Sequence, residues 1–276
     1  MPEGVLTSGL PPHRVFGSGP RPVLALHCSL AHSGAWSGLA ALLPGLSVTA
    51  TDQPSHGKAA DWDGVADLHR LSTDQSIAMA EVLAARAGGP VDLFGHSFGA
   101  TIALRIALER PDLVRSLMLV EPVIFAAAHG SEAYSSFRIR HLAFAAQVLA
   151  GRRADAAALF HSIWGTGERI TDLPEKTQAY LLARIHLIEV QNPVLLEDAA
   201  GLLRPGGLET IAVPVLLVEG GKSPPIIEAV HEVLERRLSR AERLVVAGAG
   251  HMVPITHPAE MVEAVERHLG RPRGAG

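Results

Sequence analysis

The 276-residue sequence predicts an α/β fold with helices on both faces of a mostly parallel sheet. Three observations carry this. Short apolar runs recur along the chain, rich in leucine and β-branched residues and stopped by Gly, Pro, Asp or His. Helical patterns separate them. One long helical stretch then interrupts the alternation. Runs apolar on both faces suit strands buried in a parallel sheet.

The apolar runs come in the order VLALH (23–27), LSVTATD (46–52), VDLFGHS (91–97), SLMLVEP (116–122), VPVLLVEGG (213–221) and RLVVAGAGH (243–251). Between them, STDQSIAMAEVLAARAGG (72–89) has a polar helix start, helical apolar spacing and a Gly-Gly stop. GATIALRIALERP (99–111) runs to a proline, PPIIEAVHEVLERRL (224–238) starts at prolines, and PAEMVEAVERHLG (258–270) starts with Pro and ends with Gly. Residues 125–208 contain no convincing strand and read as several helices: SEAYSSFRIRHLAFAAQVLAG, ADAAALFHSIW and EKTQAYLLARIHLIEV. The expected division is a core of residues 1–124 and 209–276 with a helical lid of residues 125–208 inserted above the sheet. The tail RPRGAG is expected to fray.

Composition narrows the function. Apolar residues make up 47% and mean hydropathy is +0.22, which fits a globular chain and argues against disorder. The net charge of −4 comes with no basic stripe, so neither nucleic acid nor an anionic membrane is an expected partner. The N-terminus lacks a basic region followed by an apolar one, and no apolar run is long enough to span a bilayer, so a cytoplasmic location is expected. Cys28 is the single cysteine, which excludes an internal disulfide. No His/Cys/Asp spacing suggests a metal site, and no glycine-rich loop suggests a nucleotide cradle.

The chemistry concentrates in VDLFGHSFGA (91–100), where Ser97 lies between Gly95 and Gly99 at the junction of a strand and a helix. A sharp turn there presents the hydroxyl at the carboxyl ends of the strands, and the two glycines keep side chains out of the crowded gap. The first N–H groups of the helix point at the same spot and suit a developing oxyanion. Ser97 is therefore the candidate nucleophile. It needs a base, and His251 follows the last strand through GAG, which brings it to the same edge of the sheet. His257, beside Pro258, is expected to help start the final helix. The oxyanion donors are expected to be the amide of Phe98, after the nucleophile, and the amide of Ser29, in the loop HCSLAHSGAW after the first run. His27 shapes that loop, and Trp36 anchors the helix that follows.

HCSLAHSGAW, TDQPSHGKA, GHSFG, the helical insert and GAGHMVPITHPAEMVEAV, in this order over nearly the whole chain, resemble the α/β-hydrolase superfamily in its serine-nucleophile branch. The resemblance implies an eight-stranded, mostly parallel sheet, a helical cap after the sixth strand, a Ser–His–acid triad, and no metal or organic cofactor. It makes Asp52, His56 and Gly57 a structural turn. Two departures stand out. Cys28 occupies a position where many members have glycine, and a small buried thiol is its expected role. In VEGGKSPP, Ser223 stands where the family pattern has the triad aspartate. A hydroxyl cannot stabilise an imidazolium as a carboxylate does. Glu121, at the end of LMLVEP, keeps the order Ser, acid, His and is the candidate acid, with Glu219 a further choice.

In the lid, Phe137, His141, Phe160, Trp164 and His186 either line a substrate pocket or form the lid's own core; His27 and Trp36 are counted with the pocket. The expected activity is hydrolysis of a small to medium carboxylic ester through an acyl-enzyme. The alternatives are a lactonase or C–C bond hydrolase with the same triad, and a ligand receptor or scaffold with little turnover, which the missing aspartate favours.

Overall fold

A computed structural model describes residues 9–270. The tail 271–276 lies outside them. All six apolar runs are strands, and a seventh precedes them. The strands are β1 (His13–Phe16), β2 (Arg21–Leu26), β3 (Leu46–Thr51), β4 (Val91–His96), β5 (Val114–Val120), β6 (Val215–Gly220) and β7 (Ala241–Val246). The helices are α1 (Ser37–Ala41), α2 (Leu68–Ala87), α3 (Phe98–Glu109), α4 (Glu132–Leu149), α5 (Arg153–Trp164), α6 (Glu175–Arg184), α7 (Leu187–Val190), α8 (Asn192–Glu197), α9 (Pro225–Arg237), α10 (Val253–Thr256) and α11 (Pro258–His268).

The sheet order is β1-β3-β2-β4-β5-β6-β7, parallel throughout except for β1, which pairs antiparallel with β3. Seven strands stand among the described residues where the resemblance implies eight, and the helical insert follows β5 rather than a sixth strand. β1 left no apolar run in the sequence because it is an edge strand with three of its four residues exposed.

Alternation along the strands assigns side chains to two cores. Leu24, Leu26, Leu93, Leu117 and Leu119 face one side, where Met79 and Leu83 of α2, Ile102 and Ile106 of α3 and Ile227 and Leu234 of α9 pack on them. Val23, Ala25, Phe94, Met118 and Val120 face the other, against Leu39 of α1 and Met261 and Val265 of α11. Near the start of β4, the fully buried Asp92 carboxylate takes Arg21 (2.6 and 2.9 Å), Arg115 (2.5 and 3.0 Å) and the Ser116 hydroxyl (2.7 Å). This clamp ties β2, β4 and β5 together at the end of the sheet opposite Ser97.

Residues 125–208 form α4 to α8 and contain no strand. Phe144, Ala156, Ala157, Ile185 and Ile188 make a small core that takes in Leu30 of the loop after β2. The expected single helix over 175–190 is two, α6 and α7, and Pro193 in the first turn of α8 sets a further break at Gln191.

Candidate active site

β4 ends at His96, and the chain turns at once into α3. Ser97, at the turn, has φ 55° and ψ −116°, a left-handed conformation that costs a non-glycine residue about 1–3 kcal/mol. Its N–H donates to the Val120 carbonyl (2.8 Å). The flanking glycines are required by space. A Cβ on Gly95 would stand 2.5 Å from the Ala100 Cα, and one on Gly99 2.2 Å from the Leu26 carbonyl oxygen, both backbone atoms that cannot yield.

Phe98 N–H opens α3, and Ser29 N–H lies in the loop after β2; among the described residues neither has an internal acceptor. Ser29 lines the same cavity as Ser97. Two histidines hold its loop. His27 donates through Nδ1 to the Cys28 carbonyl (2.7 Å) and accepts the Gln53 N–H at Nε2 (2.9 Å). His56 donates through Nδ1 to the Pro54 carbonyl (2.8 Å) and accepts the Leu30 N–H at Nε2 (3.1 Å). Burial lowers His27 to about 4 and His56 to about 3, so both stay neutral, as accepting an N–H requires. Asp52 takes the N–H groups of Ser33 (2.7 Å) and Lys58 (2.9 Å) and packs so closely on Gly57 (φ +56°) that a Cβ there would lie 2.3 Å from its carboxyl carbon. Burial pushes the Cys28 thiol up to about 12, which leaves it protonated and without nucleophilic character.

His251 lies in the turn between β7 and α10, 5% exposed. Its carbonyl accepts the His96 Nε2–H (2.9 Å), and Trp164 meets its ring edge-on at a centroid distance of 4.8 Å. His251 Nδ1 donates to Glu121 Oε2 (2.5 Å). Glu121 directly follows β5, fully buried, with φ 46°. Its other oxygen, Oε1, accepts the Gly220 N–H (2.7 Å) and the Ser223 hydroxyl. Burial pushes the Glu121 carboxyl up; the charge and hydrogen bond of His251, with the donors Ser223 and Gly220, outweigh it and hold the group below the usual carboxylate range. Ser223, at the position of the absent aspartate, thus donates to the glutamate beside His251. Glu219 is directed elsewhere, to Arg243 (2.8 Å) and His231 (3.4 Å).

Ser97, His251 and Ser29 share a narrow cavity of ≈ 50 Å³, also lined by Phe137, His141, Phe160 and Trp164 of the insert. The same aromatic side chains pack on one another, Phe137 on Trp164 at 6.3 Å and Phe144 on Phe160 at 5.9 Å, so they serve both as cavity wall and as packing within the insert. His27 and Trp36 do not line this cavity, contrary to expectation: His27 spends both ring nitrogens on backbone, and Trp36 is 1% exposed and packs on Phe94. His186 is also absent from the lining. Phe125, Phe144, Leu195 and Gln191 line it without having been singled out in the sequence; Gln191 lies just past the end of the expected 175–190 helix, where no periodicity marks it. A wider chamber of ≈ 720 Å³ lies between the insert and the 29–38 and 252–255 loops, meeting the narrow cavity at Ser29, Phe160 and Trp164. His257 occupies the N-cap position of α11, as its sequence context suggests. Among the described residues, no group of three or more His, Cys, Asp or Glu is placed to hold a metal ion, and no helix is long and apolar enough to cross a membrane.

The elbow between β4 and α3 and the histidine–carboxylate pair at the ends of β5 and β7 define an α/β hydrolase. The model of the alpha/beta hydrolase family matches residues 23–264, and the chain belongs to that family. It is 28% identical over 267 residues to Lipase LipV of Mycobacterium tuberculosis, covering 92% of this chain and 95% of the lipase. It is 30% identical to the pimeloyl-[acyl-carrier protein] methyl ester esterase of Neisseria meningitidis serogroup B, covering 80% of this chain and 81% of the esterase. The solved 2-hydroxy-6-oxo-6-phenylhexa-2,4-dienoate hydrolase of Rhodococcus sp. strain RHA1 shares the fold, with a TM-score of 0.72, 18% identity and 94% of each chain covered. Family and relatives together support a hydrolase of the esterase type acting on small molecules.

Proposed function

We propose that the protein is a serine esterase cleaving small to medium carboxylic esters through an acyl-enzyme, with Ser97 as nucleophile, His251 as base and Glu121 as the triad acid. The observation that carries the reading is the Glu121–His251 hydrogen bond (2.5 Å) at the edge of the sheet where Ser97 is presented. With a carboxylate on Nδ1–H, the other ring nitrogen, Nε2, is left unprotonated and free to accept the Ser97 proton. Ser97 Oγ attacks the ester carbonyl, and the oxyanion is held by the amides of Phe98 and Ser29 with the positive end of α3 behind it. The protonated His251 then gives its proton to the departing alcohol as the C–O bond breaks. Water, deprotonated by the same nitrogen, attacks the acyl-enzyme, and release of the acid restores Ser97.

The helical insert serves as the cap that closes this site. Its aromatic contribution to the cavity favours uncharged substrates; Arg140, the one Arg or Lys in the lining, is itself exposed. With the Glu121 carboxylate hydrogen-bonded to His251, the departure at Ser223 does not favour a receptor or scaffold without turnover. The test is Ser97→Ala on p-nitrophenyl acetate and butyrate. Turnover falls to the residual level left by the oxyanion hole and binding while the fold is retained. Undiminished turnover would overturn the reading.

A further inference from the structure

One polar group in the narrow cavity has no role in the triad or the oxyanion hole. Gln191 stands between α7 and α8 and is 2% exposed. Its Oε1 accepts the Ser29 hydroxyl (2.7 Å), which binds the insert to the residue whose backbone amide is proposed to hold the oxyanion. Its Nε2 is buried and finds no acceptor among the described residues, and Gln191 lines the cavity that holds Ser97 and His251. Two donor hydrogens left unpaired in such a place are unfavourable until something accepts them. The apolar neighbours Phe125, Phe144, Ile188 and Leu195 offer no side-chain acceptor, and among the described residues neither His141 nor Asn192 of the same lining accepts from it.

We propose that Gln191 Nε2 is a substrate-recognition donor for an oxygen carried on the acyl chain close to the scissile carbonyl. The preferred substrates are then short, uncharged acyl esters bearing an alkoxy, hydroxy or keto oxygen. The acyl side follows from position. Gln191 is fastened to Ser29, on the oxyanion side of the ester, whereas the alcohol departs beside His251. The neutral amide and the apolar walls disfavour an acyl carboxylate, whose charge would find no buried cation there. The inference rests on the serine-esterase reading.

The test uses p-nitrophenyl butyrate and p-nitrophenyl methoxyacetate, which have the same chain length and leaving group and differ by one CH2-to-oxygen exchange. The kcat/KM ratio of methoxyacetate to butyrate is divided by the ratio of their spontaneous hydrolysis rates, which removes the electronic effect of the oxygen. The wild type is expected to give a corrected ratio of about 10 or more, and Gln191→Met, similar in shape and unable to donate, to bring it near 1. A wild-type ratio near 1 overturns the inference without needing any variant. So does an equal loss on both esters in Gln191→Met, which is the mark of a residue that only positions Ser29. Failure of the wild type to hydrolyse either ester would instead strike at the esterase reading, and the inference would fall with it.

Discussion

Replacing Glu121 by glutamine tests the assignment of the acid at the point where this chain departs most from its family's pattern. The exchange keeps size and removes charge. Its consequence follows from which oxygen has which partner. Oε1 accepts from Gly220 N–H and the Ser223 hydroxyl, and Oε2 from His251 Nδ1. The Gly220 N–H is a backbone donor that cannot turn away, so the glutamine oxygen must take the Oε1 place. Its NH2 group then faces His251 Nδ1 and donates to it. The imidazole proton moves to the nitrogen that should receive the proton of Ser97, and the imidazolium loses its counter-charge as well. Loss of tautomer and charge in a triad costs up to about 10⁴ in kcat, and a loss of about 10² to 10⁴ corresponds to about 2.7–5.4 kcal/mol of barrier. Steady-state hydrolysis of p-nitrophenyl butyrate measures it, with thermal unfolding run in parallel to show that the variant is folded. A folded Glu121→Gln enzyme within threefold of wild-type kcat would refute the tautomer argument and with it the role of Glu121.

Ser223→Ala removes one donor to Glu121 Oε1 but no charge and leaves the Gly220 donor in place, so its kcat is expected to fall by about tenfold or less; a loss as large as that of Glu121→Gln would show that the hydroxyl acts in the chemistry itself. At the other end of the sheet, Asp92→Asn strips the charge that pairs with Arg21 and Arg115 and is expected to cost about 2–4 kcal/mol in urea unfolding at pH 7, somewhat below a fully buried pair because both arginines are partly exposed. Burial raises the Asp92 carboxyl and the hydrogen bonds of Arg21, Arg115 and Ser116 outweigh it, so its folded pKa is depressed. Such a group stabilises the fold above the ordinary aspartate pKa of about 4, and the contribution is lost as pH falls through the lower folded value. The gap between wild type and Asp92→Asn should therefore narrow in acid; a gap that widened would show that the pairing is not the source of the stability.

The elements legible in the sequence are those whose pattern is dictated by burial on both faces. The five interior strands, β2 to β6, and the helices that flank them show themselves because each must be apolar where it meets the sheet; β7, the second edge strand, keeps an apolar run although it is only partly buried. Ser97 was legible because Gly95 and Gly99 record a backbone contact that no side chain permits. β1 was not, since an exposed edge strand needs no apolar run. The pairing of Ser223 with Glu121 lies beyond any local pattern, because it joins residues 102 positions apart just past the ends of the neighbouring strands β5 and β6. His27 shapes the loop after β2 as its place in the sequence suggests, but it does not line the cavity, and only the geometry reveals that both its nitrogens are committed to backbone. Gln191 gave no signal at all, being one polar residue at a break between two short helices.

The central claim is that the reacting ester passes through a covalent bond to Ser97, and the most direct measurement is the site of acylation. The wild type is mixed with p-nitrophenyl butyrate, quenched in acid during steady-state turnover, digested and analysed by mass spectrometry; labelling with a fluorophosphonate provides a stable counterpart. The account predicts a butyryl adduct and a stoichiometric phosphonyl adduct on the peptide containing Ser97, both absent in Ser97→Ala. An adduct on any other residue, or turnover that continues in Ser97→Ala with no adduct formed, would contradict it.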